Sequence, residues 1–177
     1  MQEVIHFWFN ICSPKEWWQK DKAFDEEIGN RFSAVHEKAI VGELAHWRKT
    51  ALGRLAEIIV LDQFSRNIFR DQAQSFAYDN LALVLAQEAV AAGTDLCLAP
   101  EKRCFLYMPY MHSESLEVHH QALILFNQPG MESNYNFELK HYEIIKRFLR
   151  YPHRNEILGR ISSDEELAFL QQPGSSF

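Results

Sequence analysis

Hydrophobic residues recur at helical spacing along almost the whole chain, and no convincing period-two run typical of a β-strand is present. The clearest stripe lies between residues 22 and 42, where apolar side chains advance by three or four positions. Its members are Phe24, Ile28, Phe32, Val35 and Ala39. This spacing predicts an amphipathic helix that buries one face and ends near Gly42.

The next apolar segment, residues 52–61, is hydrophobic almost all round. A helix with this composition has no solvent-facing side and is expected to lie in the centre of the protein. Thr50 precedes the segment and can cap its first turn with its hydroxyl group. The sequence therefore predicts a central helix that begins after Thr50.

Prolines and glycines set the expected limits of the following helices. An alanine-rich helix is predicted from about 72 to 92, closed by Gly93 at the position where glycine commonly ends a helix. Pro100 can open a short helix through Tyr107. Pro109 should then break it, because proline lacks the N–H that a continuing helix needs.

Three more helices are expected in the last third of the chain. Ser113 or Ser115 can cap a helix that ends before Pro129, and an apolar stripe marks another over 137–148. The segment 162–166 (SSDEE) is typical of a capping box for a short last helix.

The chain is thus predicted to be a single all-α domain, residues 1–177. About seven helices should pack in antiparallel pairs, because the connections between them are short. The tail from residue 173 onward is expected to be extended.

Composition excludes several functional classes. A formal net charge of −6 disfavours nucleic-acid binding, which needs a basic surface. No run approaches the roughly 20 apolar residues of a membrane helix. Cys12, Cys97 and Cys104 are odd in number and lack CxxC spacing, so neither a disulfide framework nor a zinc ribbon is indicated. A reduced, cytoplasmic setting fits best.

Three short stretches place charged and amide side chains inside otherwise apolar sequence: 61–67 (LDQFSRN), 108–114 (MPYMHSE) and 151–155 (YPHRN). Buried charge is costly unless it is paired. We therefore expect the stretches to converge, either as one internal ion-pair network or around a pocket.

Spacing within the first stretch leaves two alternatives open. Asp62 and Arg66 are four residues apart, as are Gln63 and Asn67, so each pair shares a helical face. Arg66 can form an intrahelical salt bridge, or it can present its planar guanidinium to a carboxylate or phosphate ligand.

The other two stretches supply acid–base chemistry. His112 and Glu114 follow a proline, and His153 follows another, while His141 lies in an apolar stripe. A His–Glu or His–Asp couple is physically possible, because imidazole titrates near neutral pH and a carboxylate can orient it. The histidines and carboxylates lack the spacing of a metal site, so no metal and no cofactor are predicted.

Several motifs, met in order, resemble the family labelled domain of unknown function 924. They are residues 61–70 (LDQFSRNIFR), 112–114 (HSE), 152–160 (PHRNEILGR) and 174–177 (GSSF). The resemblance runs from Phe7 to the end of the chain. It implies a tetratricopeptide-like all-α fold in a family without an established activity. The chain departs from the family at Tyr151, where phenylalanine is common, and at 161–164 (ISSD), where Glu-Ser-Thr-Pro is more usual.

The favoured interpretation is a protein that binds a small anionic or polar ligand in a central pocket. The predicted ligand-binding residues are Asp62, Gln63, Arg66, Asn67, His112, Glu114, His141, His153, Arg154 and Asn155. Two alternatives remain. One is a hydrolase or lyase that uses His112 or His153 with Glu114 as an acid–base couple; the other is a tetratricopeptide-like scaffold that binds a protein partner.

Overall fold

The computed structural model describes residues 1–175, and every regular element in this part of the chain is helical. The α-helices are α1 (Gln2–His6), α2 (Lys22–Ile40), α3 (Ala51–Ile59), α4 (Ser65–Ile68), α5 (Asp79–Ala91), α6 (Pro100–Met111), α7 (Leu116–Phe126), α8 (Glu132–Phe148) and α9 (Asp164–Leu170). Single turns of 3₁₀-helix occupy Ala45–Lys49, Ala73–Phe76, Asp95–Cys97 and Pro152–Arg154, and π-helical turns occupy Phe7–Ile11 and Val60–Phe64. The predicted all-α class is confirmed. None of these helices is long and apolar enough to cross a membrane.

The predicted helix ends are largely those observed. The Thr50 hydroxyl accepts a hydrogen bond from the Gly53 amide at 3.1 Å, and Ser163 with Glu166 forms the predicted capping box. Gly42 and Gly93 both have positive φ, at 78° and 65°, and end α2 and α5. Local sequence therefore determines where these elements begin and stop.

Two predicted boundaries were wrong. The alanine-rich helix starts at Asp79 rather than near residue 72, because residues 73–76 form a separate 3₁₀ turn. Pro109 does not break α6, which continues to Met111. The proline removes one backbone hydrogen bond near the C-terminal end, and the burial of every residue from Cys104 to Met111 outweighs that loss.

The predicted extended tail was also wrong for the part that the structure describes. Residues 171–175 form turns; Gly174 has a φ of 76°, and the Ser175 hydroxyl donates to the Leu170 carbonyl at 3.1 Å. The last two residues of the tail lie outside the described residues.

The central helix is continuous from Ala51 to Ile68, because α3, the π-helical turn Val60–Phe64 and α4 follow one another without an interruption of helical backbone. Every residue from Leu55 to Ser65 is buried, as the all-round apolar sequence predicted. Helices α1, α2, α5 and α6 pack around it. The π-helical turn widens the helix at the polar residues of the first motif, and such turns are frequent at functional sites.

A second, smaller core lies beyond α6. It consists of Ile144, Ile145 and Tyr151, against which Leu116, Phe148 and Phe169 pack. Helices α6, α7 and α8 are joined by short connections and pack side by side. The first two polar stretches contribute apolar residues to the first core, and the third contributes Tyr151 to the second.

The first turn of the central helix is held by the 3₁₀ segment Ala45–Lys49. Arg48 donates two hydrogen bonds of 2.7 Å to Glu57, whose side chain is fully buried on α3. Trp47 lies so close that a Cβ atom built on Gly53 would be 1.9 Å from the Trp47 carbonyl oxygen. Gly53 is required because the Trp47 backbone packs closely against it, and not because of its own backbone conformation.

We predict that Gly53→Ala destabilises the protein by about 1–3 kcal/mol, because the Trp47 segment must move away from α3. Gly29→Ala on α2 is the matched control. A Cβ atom at Gly29 has nothing within 4 Å, so the change should be neutral or stabilise by about 0.5–1 kcal/mol. Urea unfolding measures both variants; equal effects at the two sites would contradict the proposed contact.

Candidate functional site

The Asp62 carboxylate lies at the centre of the polar motifs. It is fully buried on the π-helical turn and is surrounded by three hydrogen-bond donors. His112 Nδ1 lies 2.7 Å from Oδ1, Arg66 Nη1 lies 3.1 Å from the same oxygen, and Gln63 Nε2 donates to Oδ2. Both carboxylate oxygens are therefore satisfied within the protein.

Arg66 connects Asp62 to a second carboxylate at the start of α5. Its Nη1 and Nη2 atoms donate to the two oxygens of Asp79, both at 3.0 Å. Nη1 also donates to the Asp62 carbonyl at 2.7 Å. The predicted intrahelical salt bridge exists, and Asp79 extends it to another helix.

Arg154 joins the same group from the 3₁₀ turn Pro152–Arg154. Its Nη1 lies 3.2 Å from Asp79 Oδ2, and its Nη2 donates to the His112 carbonyl at 3.1 Å. The guanidinium lies between the rings of Phe76 and Tyr151, 4.6 and 4.5 Å from their centroids. This stacking stabilises a cation that is almost completely buried.

These side chains form one unit, which we call the central network: Asp62, Gln63, Arg66, Asp79, His112 and Arg154. The structure thus brings together residues of all three polar stretches. Their role in ligand binding stays a prediction.

Glu114 and Asn155 belong to a separate group that shapes the loop after α8. Glu114 accepts two hydrogen bonds from Arg160, at 2.6 and 2.9 Å, and one from the Tyr151 amide at 2.7 Å. Arg160 also donates to Asn155 Oδ1 at 2.9 Å. Since the hydrogen bonds of Glu114 are used to position Tyr151 and Arg160, its contribution here is structural.

The remaining predicted site residues have other surroundings. Asn67 donates to Asp25 at 2.8 Å, next to the ion pair of Asp25 with Arg70, and so faces α2. His141 and His153 both contact the Tyr151 ring, with centroid separations of 5.7 and 5.5 Å. They border the central network through this ring.

Burial and neighbouring charges shift the pKa values in opposite directions. Burial alone would raise the pKa of Asp62, but His112 and Arg66 lower it well below its usual value. Burial and the Arg66 charge lower the pKa of His112, against the opposing effect of Asp62. Burial likewise lowers the pKa of His141 to about 3 and that of His153 to about 4. At neutral pH Asp62 is therefore ionised, and the imidazoles of His112, His141 and His153 are neutral.

Three members of the central network remain partly open to solvent: Arg66, His112 and, to a smaller extent, Asp79 at 12%. The side chain of Arg66 is 20% exposed and that of His112 is 16% exposed, whereas Asp62 beneath them is fully enclosed. Within residues 1–175, His112 Nε2 has no hydrogen-bond partner and is not a buried atom, so it is accessible. We call this edge, formed by Arg66 and His112, the open edge.

Two depressions lie elsewhere on the surface. One of about 810 Å³ is lined by charged residues of α2 and by Asn67 and Arg70. Another of about 890 Å³ runs along α8. Among the described residues, no group of three or more His, Cys, Asp or Glu side chains is arranged to hold a metal ion.

Sequence reasoning missed Asp79, Phe76 and Tyr151 as parts of the site. An acidic residue in the first turn of a helix is common, so Asp79 gave no distinct signal. Tyr151 was noted as the first residue of the third polar stretch and as a family substitution, but not as a site residue. Its hydroxyl donates to the Met111 carbonyl and lies 3.2 Å from His119 Nε2, so the hydroxyl end of the ring is fixed.

Comparison with known proteins identifies the family of the chain. The model of a family described as a bacterial protein of unknown function, domain of unknown function 924, matches residues 4–174. The chain belongs to this family. The chain is also similar to the solved structure of a protein of unknown function from Agrobacterium tumefaciens. The two sequences are 37% identical, the match covers 96% of each chain, and the TM-score is 0.91. No curated protein matches the chain. The motif resemblance is therefore confirmed, and these relatives supply no activity.

We predict that lowering the pH from 7 to 5 destabilises the protein and that His141 accounts for about 2 kcal/mol of this loss. The pKa of His141 is lowered to about 3, so below pH 6.5 the unfolded chain binds a proton that the folded chain does not. The free energy of unfolding therefore decreases as the pH falls from about 6.5 towards 3. Urea unfolding of the wild type and His141→Phe at both pH values measures the difference. Identical pH dependence of the two proteins would refute the assignment.

We predict that Arg66→Met costs on the order of 3 kcal/mol, because it leaves the buried Asp62 with fewer compensating partners. The double variant Asp62→Leu/Arg66→Met should recover at least half of that loss. Lys22→Met is the control; Lys22 pairs with Glu26 on the surface of α2, both side chains are exposed, and the change should cost at most about 1 kcal/mol. Additive effects of the two central substitutions would show that Arg66 does not stabilise Asp62.

Proposed function

We propose that the protein binds a small polar or monoanionic ligand at the open edge. The observation that carries this proposal is the partial exposure of Arg66 and His112 above a fully buried Asp62. Arg66 Nη1 and His112 Nδ1 contact the same oxygen, Asp62 Oδ1, so the two side chains are neighbours.

The accessible atoms have complementary hydrogen-bonding roles. Within residues 1–175, Arg66 Nε and one N–H of Nη2 have no protein acceptor, and a carboxylate can accept from both. His112 donates its Nδ1 proton to Asp62, which leaves Nε2 as an acceptor for a hydroxyl group. A small carboxylate that also carries a hydroxyl group satisfies both residues.

The charge of the central network limits the ligand further. Two guanidinium groups, from Arg66 and Arg154, balance two carboxylates, from Asp62 and Asp79. The central network therefore has no surplus positive charge that would attract a polyphosphate. Because the hydrogen bonds beneath the open edge already fix both side chains, binding costs little side-chain entropy.

A second candidate function is acid–base catalysis at the same place. The supporting observation is the 2.7 Å contact between His112 Nδ1 and Asp62, since a carboxylate behind an imidazole fixes its tautomer and orientation. In this form the couple is His112–Asp62 and not His112–Glu114. Turnover of small ester substrates that disappears in His112→Asn, with the fold intact, would favour the enzyme.

A protein-binding scaffold is the third interpretation, together with the tetratricopeptide-like arrangement that the family resemblance implies. The side-by-side packing of α6, α7 and α8 supports it. A cytoplasmic location is part of the same proposal and is supported by the three free cysteines.

We predict that glycolate or lactate at tenfold excess over its dissociation constant raises the melting temperature by about 3–5 °C. His112→Asn should lose most of this shift. The asparagine amide can replace the Nδ1 donor to Asp62 but removes Nε2, so the fold should be kept. Acetate should give a smaller shift, because it lacks the hydroxyl group.

Lys38→Gln on α2 is the control for a general effect of anions and should keep the full shift. The proposal fails if neither hydroxy acid raises the melting temperature, or if His112→Asn responds like the wild type.

A further inference from the structure

A buried acid–base pair joins α7 to α8 outside the central network. Glu138 lies on the inner face of α8, three residues before His141 and seven before Ile145, which are also buried. His119 faces Glu138 from α7. Both side chains are fully enclosed, and His119 Nδ1 lies 2.6 Å from Glu138 Oε1. Because neither group reaches solvent, the number of protons that the pair holds decides whether a charge is buried.

Hydrogen bonding fixes the second nitrogen of His119 as a donor. Nε2 lies 2.9 Å from the Ser113 carbonyl oxygen and 3.2 Å from the Tyr151 hydroxyl. A carbonyl oxygen can only accept, and the hydroxyl hydrogen of Tyr151 is donated to the Met111 carbonyl. Nε2 therefore carries a hydrogen and donates it to Ser113.

The contact between Nδ1 and Glu138 then requires one further proton. If Nδ1 and Oε1 were both unprotonated, two acceptors would face each other at 2.6 Å in a buried site, which is repulsive. One proton is therefore shared in this contact. The pair is either an imidazolium with a carboxylate or a neutral imidazole with a carboxylic acid, and its net charge is zero in both forms.

The second oxygen of Glu138 decides between the two forms. Within residues 1–175, Oε2 is buried and has no hydrogen-bond partner. A buried carboxylate with one unsatisfied oxygen is costly, whereas a carboxylic acid donates through Oε1 and carries no charge that needs compensation. Burial also raises the pKa of Glu138, against the opposing effect of His119. The neutral acid is therefore the favoured form.

The ionisable groups around the pair supply no compensating charge. His141 on α8 and His112 at the end of α6 are neutral imidazoles at neutral pH, because burial lowers the pKa of each. Tyr151 approaches from the loop after α8, and burial raises its pKa well above the usual value. Arg154 and Glu114, which act on Tyr151, are each held in an ion pair of their own. The shared proton is therefore what keeps the pair uncharged.

We propose that His119 and Glu138 form a pH-sensitive link between α7, α8 and the segment after α6. At neutral pH Glu138 is a carboxylic acid that donates to His119 Nδ1, and His119 Nε2 donates to Ser113. Loss of the shared proton at alkaline pH leaves a buried carboxylate opposite an imidazole lone pair, so the link opens. This inference does not depend on a ligand at the open edge.

Proton linkage gives the sign of the effect on stability. Above about pH 6.5 the unfolded chain has lost the titratable protons of both groups, whereas the folded chain keeps one. The folded state is therefore increasingly disfavoured as the pH rises, until the pair itself loses its proton. Glu138→Gln removes this dependence, because the amide N–H donates to Nδ1 as the acid does and does not titrate.

Urea unfolding at pH 7 and pH 9 tests the link. The folding equilibrium constant of the wild type, divided by that of Glu138→Gln, should fall by at least about fivefold between the two pH values. Glu143→Gln is the matched control on the same helix. Glu143 is exposed, so the corresponding ratio should stay constant. A ratio for Glu138→Gln that is the same at both pH values would overturn the proposal.

NMR of the wild type provides a second measurement that does not require the variant to fold. The carboxyl carbon of Glu138 should titrate with a midpoint above about pH 7. At pH 7 the nitrogen signals of His119 should be those of a neutral imidazole with its hydrogen on Nε2. A midpoint below pH 7, or an imidazolium at His119, would show that Glu138 is ionised and would refute the link.

Discussion

The buried carboxylate of Asp62 is the constraint on which the centre of this protein depends. An isolated ionised carboxylate in the middle of a hydrophobic helix is too costly to persist, so the fold must bring donors to it. Gln63 and Arg66 come from the same helix, and His112 comes from the end of α6. Folding of α6 against the central helix is therefore linked to the compensation of one negative charge.

The guanidinium of Arg154 extends this charge compensation to the C-terminal third of the chain. Asp79 accepts from both Arg66 and Arg154, so it joins the central helix, α5 and the loop after α8. The Tyr151 ring stacks against the Arg154 guanidinium, and Glu114 accepts a hydrogen bond from the Tyr151 amide. The loop conformation thus follows from charges that are distant in sequence but share one buried centre.

A fully buried polar pair lies elsewhere in the protein. His119 and Glu138 are both fully buried, 2.6 Å apart, and the second ring nitrogen of His119 contacts the Ser113 carbonyl at 2.9 Å. Burial raises the pKa of Glu138. That pair has no exposed member. The central network differs because Arg66 and His112 reach solvent, and this difference is the basis for proposing a ligand at the open edge.

The sequence by itself determined the helical class, the burial of the central helix and most helix ends. These follow from local periodicity, caps and glycines, as at Thr50 and Gly42. Sequence also identified the polar stretches, because charge in apolar segments must be compensated. Tertiary structure alone decided which charges meet: Asp79 joined the centre, while Asn67 turned toward Asp25. It also kept α6 helical through Pro109, since packing outweighed one lost hydrogen bond. Pairing and exposure depend on contacts between distant residues, and residue spacing along a helix carries no information about those contacts.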